Sequence, residues 1–306
     1  MSGTITVGNI PRLVQEGLRN IFGGSYREHP KEYDKIFDSF DSRKNFEVDQ
    51  QLEGLGLAPE KPEGDEIAFD SFRQGFSPKY RHLTYGKGYI VSEEAIEDEL
   101  YGQLKGKTRR LAFSMTQTKE VVGANILNRG FNGAFTQVDG DGEALFSTSH
   151  PNGPSGGVFS NKLAVDADFN EASLEDLLIV IGSARDPRDL QIALQGTKLI
   201  GPVALQFEFQ RVLGSVLQND TGNNATNAIR DMNSVRDGFT INHYLSDPDA
   251  WFIKTNSPDG LKYFTRRAVR FQEDNAFTSG NARMKADERY SFGFSDPRGA
   301  YATSGL

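Results

Sequence analysis

The chain is predicted to be an α+β protein, and three observations carry that prediction. Short segments alternate between apolar and polar residues in both halves, as in FEVDQQL from Phe46, IAFDSF at 67–72 and the middle of the tail NARMKADERYSFGFSDPRGAYATSG. One amphipathic stripe runs from Ser92 through Ile126 at helical steps, and after residue 160 apolar helical segments give way to strand-like ones. No internal repeat imposes a simpler architecture.

Residues 1–45 predict an arm with one or two short helices. Tyr33, Ile36, Phe37 and Phe40 recur at helical spacing, but the segment holds too few large apolar residues for a core of its own. Residues 46–90 then predict a projecting hairpin. Its two alternating runs flank a tip rich in breakers (Gly54, Gly56, Pro59, Pro62, Gly64). Eight acids and a single base, Lys61, lie between Glu47 and Asp70, so this hairpin is strongly negative.

From Ser92, an N-cap followed by Glu93 and Glu94 opens a helix. Ile96, Leu100, Leu104, Leu111, Met115, Val122 and Ile126 mark its stripe. About 36 residues would make a rod of roughly 54 Å. Gly102 and Gly106 weaken it by about 1 kcal/mol each relative to Ala, so packing must hold it. Past residue 160, LEDLLIVIGSARD and ALQFEFQRVLGSVL predict helices, and TKLIGP, GFTINHYL, AWFIKT and LKYFTRRAVRF predict strands. QNDTGNNATNA predicts a polar linker, and the tail alternates in its middle and ends as a strand returning to the rod.

Composition narrows the functions. The 306 residues carry 42 acids and 34 bases, a net charge of -8 that repels a polyanion, so sequence-specific nucleic-acid binding is disfavoured. The absence of cysteine excludes disulfides, thiolate metal sites and a thiol nucleophile. MSGTITVGNI has neither the basic region nor the apolar core of a secretion signal, and the longest apolar run, LLIVI, is far too short to span a membrane. Synthesis and folding in the cytoplasm are the expectation. A mean hydropathy of -0.51 beside 22 Phe suggests an elongated chain that buries some Phe only between subunits.

Several segments imitate active sites. Asp139, Asp141 and Glu143 alternate as calcium ligands do, but an EF-hand loop counted from Asp139 needs Gly where Ala144 stands and Glu where His150 stands. DGDG is instead predicted to turn a hairpin between FTQV and EALF. GPSGG fits G-x-S-x-G around Ser155, yet no buried strand delivers the serine and no helix leaves it. GQLKGKT lacks the first Gly of a phosphate loop, with Tyr101 in its place, and follows an acidic helix. His29, His82, His150 and His243 are dispersed. No catalytic, cofactor or metal residues are assigned, and no enzyme activity is expected.

The order of elements, together with FNGAFTQVDGDGEALFSTSHP at 131–151, YLSDPDAWFIKT at 244–255 and ERYSFGFSDPRGAYATSG at 288–305, resembles the major capsid proteins of tailed bacteriophages, the Hong Kong 97 phage fold, and most of all the subgroup of the Mu-type major head subunit. The resemblance implies an N-terminal arm at 1–45, an extended loop at 46–90 that overlaps a neighbouring subunit, a peripheral domain with a spine helix at 91–155 and 271–306, and an axial domain at 156–270. It implies hexamers and pentamers closing an icosahedral shell around double-stranded DNA that is bound without sequence preference. It also implies a portal, a decoration protein and a separate scaffolding protein, since no long scaffolding segment precedes the arm, with assembly in the host bacterial cytoplasm. The same fold serves encapsulin-like compartments, which is the alternative. As inter-subunit contacts, Glu60, Glu63, Asp65 and Glu66 of the hairpin are expected to face Lys105, Lys107, Arg109 and Arg110 of the spine, because the two sets are opposite in sign.

Overall fold

The computed structural model of the chain describes residues 12–92, 94–95, 101–153, 157–218, 225–275 and 281–306. In chain order its strands are β1 (Asp38–Asp41), β2 (Phe46–Val48), β3 (Leu52–Glu53), β4 (Arg73–Gln74), β5 (Lys79–Arg81), β6 (Leu83–Val91), β7 (His150–Pro151), β8 (Val158–Phe159), β9 (Gly196–Gly201), β10 (Phe239–Ile241), β11 (Trp251–Thr255), β12 (Leu261–Asn275), β13 (Ala282–Phe294) and β14 (Ala300–Thr303). An arm helix, Arg12–Glu28, and a long helix, Tyr101–Asn128, precede two shorter ones, Glu171–Gly182 and Gln206–Gly214.

Two four-stranded sheets organise these elements. The first has the order β1-β12-β13-β6 and the second β10-β9-β11-β14. In the first, β1 runs parallel to β12 and the other neighbours are antiparallel. The alternation of the tail becomes the pleat of β13: Ala282, Met284, Ala286, Glu288 and Tyr290 point inward and are buried, whereas Arg283 and Lys285 are exposed. The long helix lays Leu104, Leu111, Ala112 and Met115 on this inner face, and the arm helix adds Leu18 and Phe22 to the same cluster.

A second cluster joins the sheets. Tyr33, Ile36 and Phe37 meet Leu127, Leu145 and Phe146, Tyr263, Tyr290 and Phe294 of the first sheet, and Ile200 and Phe252 of the second. The third lies under the second sheet, where Leu174, Leu177 and Ile181 pack with Phe209, Trp251 and Ile253. Asn170 caps the Glu171–Gly182 helix by accepting the Ser173 N–H, while Ser173 Oγ accepts that of Asn170. Where strands of the two sheets end, Gly260 and Gly299 lie face to face, and a Cβ on Gly299 would sit 2.1 Å from the Gly260 Cα.

Four sequence expectations are corrected. The helical spacing at Tyr33, Ile36, Phe37 and Phe40 yields a single 3-10 turn, Tyr33–Lys35, followed by β1, because β1 finds a parallel partner in β12; Phe40 is left exposed. IAFDSF forms no strand, because no strand among the described residues lies alongside it. FTQV and EALF share only the isolated bridge Thr136–Ala144, since Leu145 and Phe146 turn inward to the core. The terminal strand β14 does not return to the long helix as β13 does; it pairs with β11, and Tyr301 enters the core of the second sheet. The long helix is continuous over 28 residues, about 42 Å at 1.5 Å each. Ser92 Oγ accepts the Ala95 N–H as a cap should, at 3.4 Å, while Ile96 and Leu100 of the expected stripe lie outside the described residues.

Buried charge pins the arm. Lys119 of the long helix pairs with Glu288 of β13 at 2.5 Å, and Tyr26 of the arm helix donates to the same carboxylate at 2.9 Å. One position on, Glu120 accepts the N–H groups of Glu32 and Tyr33 at 3.0 and 3.1 Å. Glu32 in turn accepts the His243 N–H at 2.9 Å. Burial pushes the Glu120 carboxyl up to about 7, opposed by its two N–H donors and aided by the nearby Glu32 and Asp34. A carboxyl raised from 4.5 to about 7 on folding gives stability that is complete below pH 4.5 and lost as pH rises through 7. Urea unfolding midpoints should therefore fall more steeply between pH 4.5 and pH 7 for the native chain than for Glu120→Gln; parallel profiles would refute this origin.

Candidate inter-subunit surface

The hairpin is a ribbon held only at its base. Phe46–Val48 pairs with Lys79–Arg81, and Leu52–Glu53 with Arg73–Gln74. Its foot is tied to the body where Gln51 donates to the Ser295 carbonyl at 2.6 Å and Asp49 pairs with Lys262. Between residues 54 and 72 no strand ladder forms, and a turn closes where the Asp65 N–H meets the Pro62 carbonyl at 3.3 Å. Asp70 accepts the Gly56 N–H at 3.1 Å, and Arg188 reaches the Ser71 carbonyl at 3.0 Å. Leu52, Leu55, Leu57, Ile67, Phe69 and Phe72 are all exposed, Leu57 by 83% and Phe69 by 93%. Covering such a side chain is worth about 1.5–3 kcal/mol, so this exposed row is a surface awaiting a partner.

Glu60, Glu63, Asp65 and Glu66 are exposed on this ribbon. Lys107, Arg109 and Arg110 are exposed on the long helix, and Lys105 is half-buried there. The structure thus leaves most of both charged sets open to solvent. Sequence reading missed the neighbour of the basic set. Strand β6 lies beside that stretch of helix, with Tyr89 Oη 2.7 Å from Thr108 Oγ1 and Lys87 donating to Ser114 Oγ at 3.4 Å. Gly86 and Gly88 interrupt its alternation, which hides it from pattern reading. Gly88 is required by close packing, since a Cβ there would fall 2.5 Å from the Met284 carbonyl oxygen.

The stretch that imitates active sites is a structural plug. His150 is fully buried, with Nδ1 2.5 Å from Asp141 Oδ2 and Nε2 3.1 Å from Asn161 Oδ1. Neither ring nitrogen faces Ser149, whose hydroxyl meets only Ser147. Asn161 is also fully buried and donates to the carbonyls of Leu145, Pro297 and Ala300 at 2.6, 3.1 and 3.2 Å. Asp139 adopts a left-handed φ of 57°, as a tight turn demands. Ser155 lies outside the described residues. GQLKGKT falls within the long helix, where the amides of residues 105–108 lie over helical acceptors at 101–104 and Thr108 Oγ1 donates to the Leu104 carbonyl. Among the described residues no three His, Asp or Glu side chains converge as a metal site.

The sequence model of a family described as phage capsid protein matches residues 77–303. The chain belongs to this phage capsid protein family. The capsid protein is therefore a structural protein, a subunit of an icosahedral bacteriophage shell and not an enzyme. No curated protein sequence matches it. Its fold is similar to that of the procapsid of bacteriophage JBD30 (15% identity, TM-score 0.51, covering 97% of this chain and 77% of that one). It is also similar to the capsid of Myoviridae phage XM1 (10%, 0.51, 89% and 89%) and to a virus-like particle from Pyrococcus furiosus (13%, 0.53, 94% and 98%). Within such a subunit the His150 cluster locks the loop after the long helix to the C-terminal segment. Asn161→Ala removes the amide that serves the Leu145, Pro297 and Ala300 carbonyls and accepts the Ser147 N–H, and should cost about 2–4 kcal/mol in urea unfolding; a cost below about 1 kcal/mol would refute the plug.

Proposed function

We propose that copies of this capsid protein associate as hexamers and pentamers and that the hairpin is the element each copy lends to its neighbour. The exposed apolar row from Leu52 to Phe72 carries this reading, because two-stranded ribbons are marginal alone and these side chains stay exposed in the single subunit. The parts are an N-terminal arm at 1–45, an extended loop at 46–90, a peripheral domain at 91–155 with 271–306, and an axial domain at 156–270. The stretches at 131–151, 244–255 and 288–305 favour the Mu-type subgroup.

Registry comes from charge. Glu60, Glu63, Asp65 and Glu66 of one copy lie against Lys105, Lys107, Arg109 and Arg110 of the next, which steers encounter more than it adds affinity. The shell encloses double-stranded DNA without sequence preference, and the net charge of -8 keeps that contact weak. Assembly proceeds in the host bacterial cytoplasm with a separate scaffolding protein, a portal and a decoration protein. No helix among the described residues is long and apolar enough to cross a membrane, and no membrane partner is proposed. A second reading, an encapsulin-like compartment, draws on the fold shared with the Pyrococcus furiosus particle. Shells purified with a co-packaged enzyme would favour it.

Electron microscopy of the purified chain should show polyhedral shells, hexamers or pentamers; a persistent monomer at high concentration would overturn the reading. Reversing Lys105, Lys107, Arg109 and Arg110 to Glu should suppress assembly at low salt, and reversing Glu60, Glu63, Asp65 and Glu66 to Lys in the same chain should restore it. Normal shells from the first variant would refute the charge pairing.

A further inference from the structure

The first sheet has an open side. In the order β1-β12-β13-β6, strand β6 pairs with β13 along its whole length and, among the described residues, has no strand on its other side. It is 9 residues long. A free edge of that length presents a row of unpaired N–H and C=O groups and is a ready template for another strand. Leu83 and Ile90 on it are exposed.

The hairpin supplies a strand with no sheet. IAFDSF has the alternation of a strand, yet residues 67–72 join no strand ladder among the described residues; Asp70 accepts the Gly56 N–H and pairs with Arg188, which also donates to the Ser71 carbonyl. We propose that residues 67–72 of one copy add as a fifth strand to the β6 edge of a second copy, so that the hairpin is held by backbone hydrogen bonds as well as by charge. The proposal rests on the reading that the hairpin covers a neighbour.

Chemistry on both sides of the edge fits this occupant. An extended 67–72 segment places Ile67 and Phe69 on one face and Ala68, Asp70 and Phe72 on the other. The inner margin of β6 offers Leu83, Tyr85 and Tyr89 to the first pair. On the outer face, Arg283 and Lys285 of β13, one strand in from the edge, stand opposite Ile90 and Gly88 and are exposed, and Asp70, paired with Arg188 at 3.5 Å in the free subunit, exchanges that partner for them on docking. Contacts of Tyr89 with Thr108 and of Lys87 with Ser114 set the edge beside the stretch that carries Lys105, Lys107, Arg109 and Arg110. Acids at 60–66, a few residues before the added strand, then meet that stretch in the same docking event. Backbone addition supplies affinity and the alternate side chains supply specificity, as in other strand-addition complexes.

Amide hydrogen exchange on free subunits and on assembled shells tests this directly. Amides of Leu83–Val91 on the outer side of β6 should slow by at least about 100-fold on assembly. Shells in which these amides exchange as in free subunits would overturn strand addition while leaving the shell reading intact, whereas failure to form any shell or capsomer would overturn that reading itself. Ala68→Pro and Phe69→Pro remove neighbouring N–H groups that point to opposite sides of a strand, at two positions that precede the Asp70 and Ser71 contacts with Gly56 and Arg188. At least one should keep the circular dichroism of the native subunit yet lose assembly or β6 protection, while Ala68→Val keeps both. Protection that persists in shells of both proline variants would mean that another segment covers the edge, and would refute the proposal. So would loss of assembly in Ala68→Val, which would place the effect in the side chain rather than the backbone.

Discussion

Packing between the inner face of β13 and the long helix sets the position of the arm helix and of β6. Small residues at Ala282 and Ala286, with Met284 between them, let the helix approach closely, and Leu104, Leu111 and Met115 fill the space above them. The arm helix fits the same trough through Leu18 and Phe22. β6, which leads out of the hairpin, is fixed by pairing with β13, and so the direction in which the hairpin projects is fixed by the same contact. Lys119 and Glu288 place a buried ion pair in this apolar seam. Such a pair adds little net stability but penalises any other register of helix on sheet, because a slipped register buries one charge alone.

Much of this was legible in the sequence where the chain buries its own residues. The stripe at Leu104, Leu111 and Met115, the alternation of the tail and the apolar helices after residue 160 all appear in the structure at or near the positions the pattern predicts, because each pattern is answered by a core inside the subunit. The failures occur where local pattern and tertiary partner disagree. Tyr33, Ile36 and Phe37 share helical spacing, yet what they share in the structure is a cavity between two sheets, and a 3-10 turn suffices to deliver them there. IAFDSF has the pattern of a strand without a partner in the same molecule. β6 has the partner without the pattern, since glycines stand where side chains would collide with β13.

The stretch DGDGEALFSTSHPNGPSGG shows why residue types alone mislead. His150 beside Ser149 spells a nucleophile and its base, but the imidazole is turned inward to Asp141 and Asn161. The backbone direction at Leu145 and Phe146 explains this: both side chains enter the core, and the polar residues between them and β7 are drawn in behind as a hydrogen-bonded plug. Only the path of the chain distinguishes that plug from an active site. The signal available earlier was the apolar pair itself, flanked by turn residues.

The wide spacing of β6 and β13 along the chain has a consequence for synthesis. Val91 pairs with Ala282, so at about 5–20 residues per second the emerging chain carries β6 and the bare hairpin for on the order of 10–40 s before their sheet exists. Topologies closed by such distant pairings also fold slowly. On a crowded polysome, newly made hairpins are therefore exposed to one another before any subunit is complete. Like-charged ribbons repel, so the strong negative charge between Glu47 and Asp70 opposes association between unfinished chains before β13 is in place.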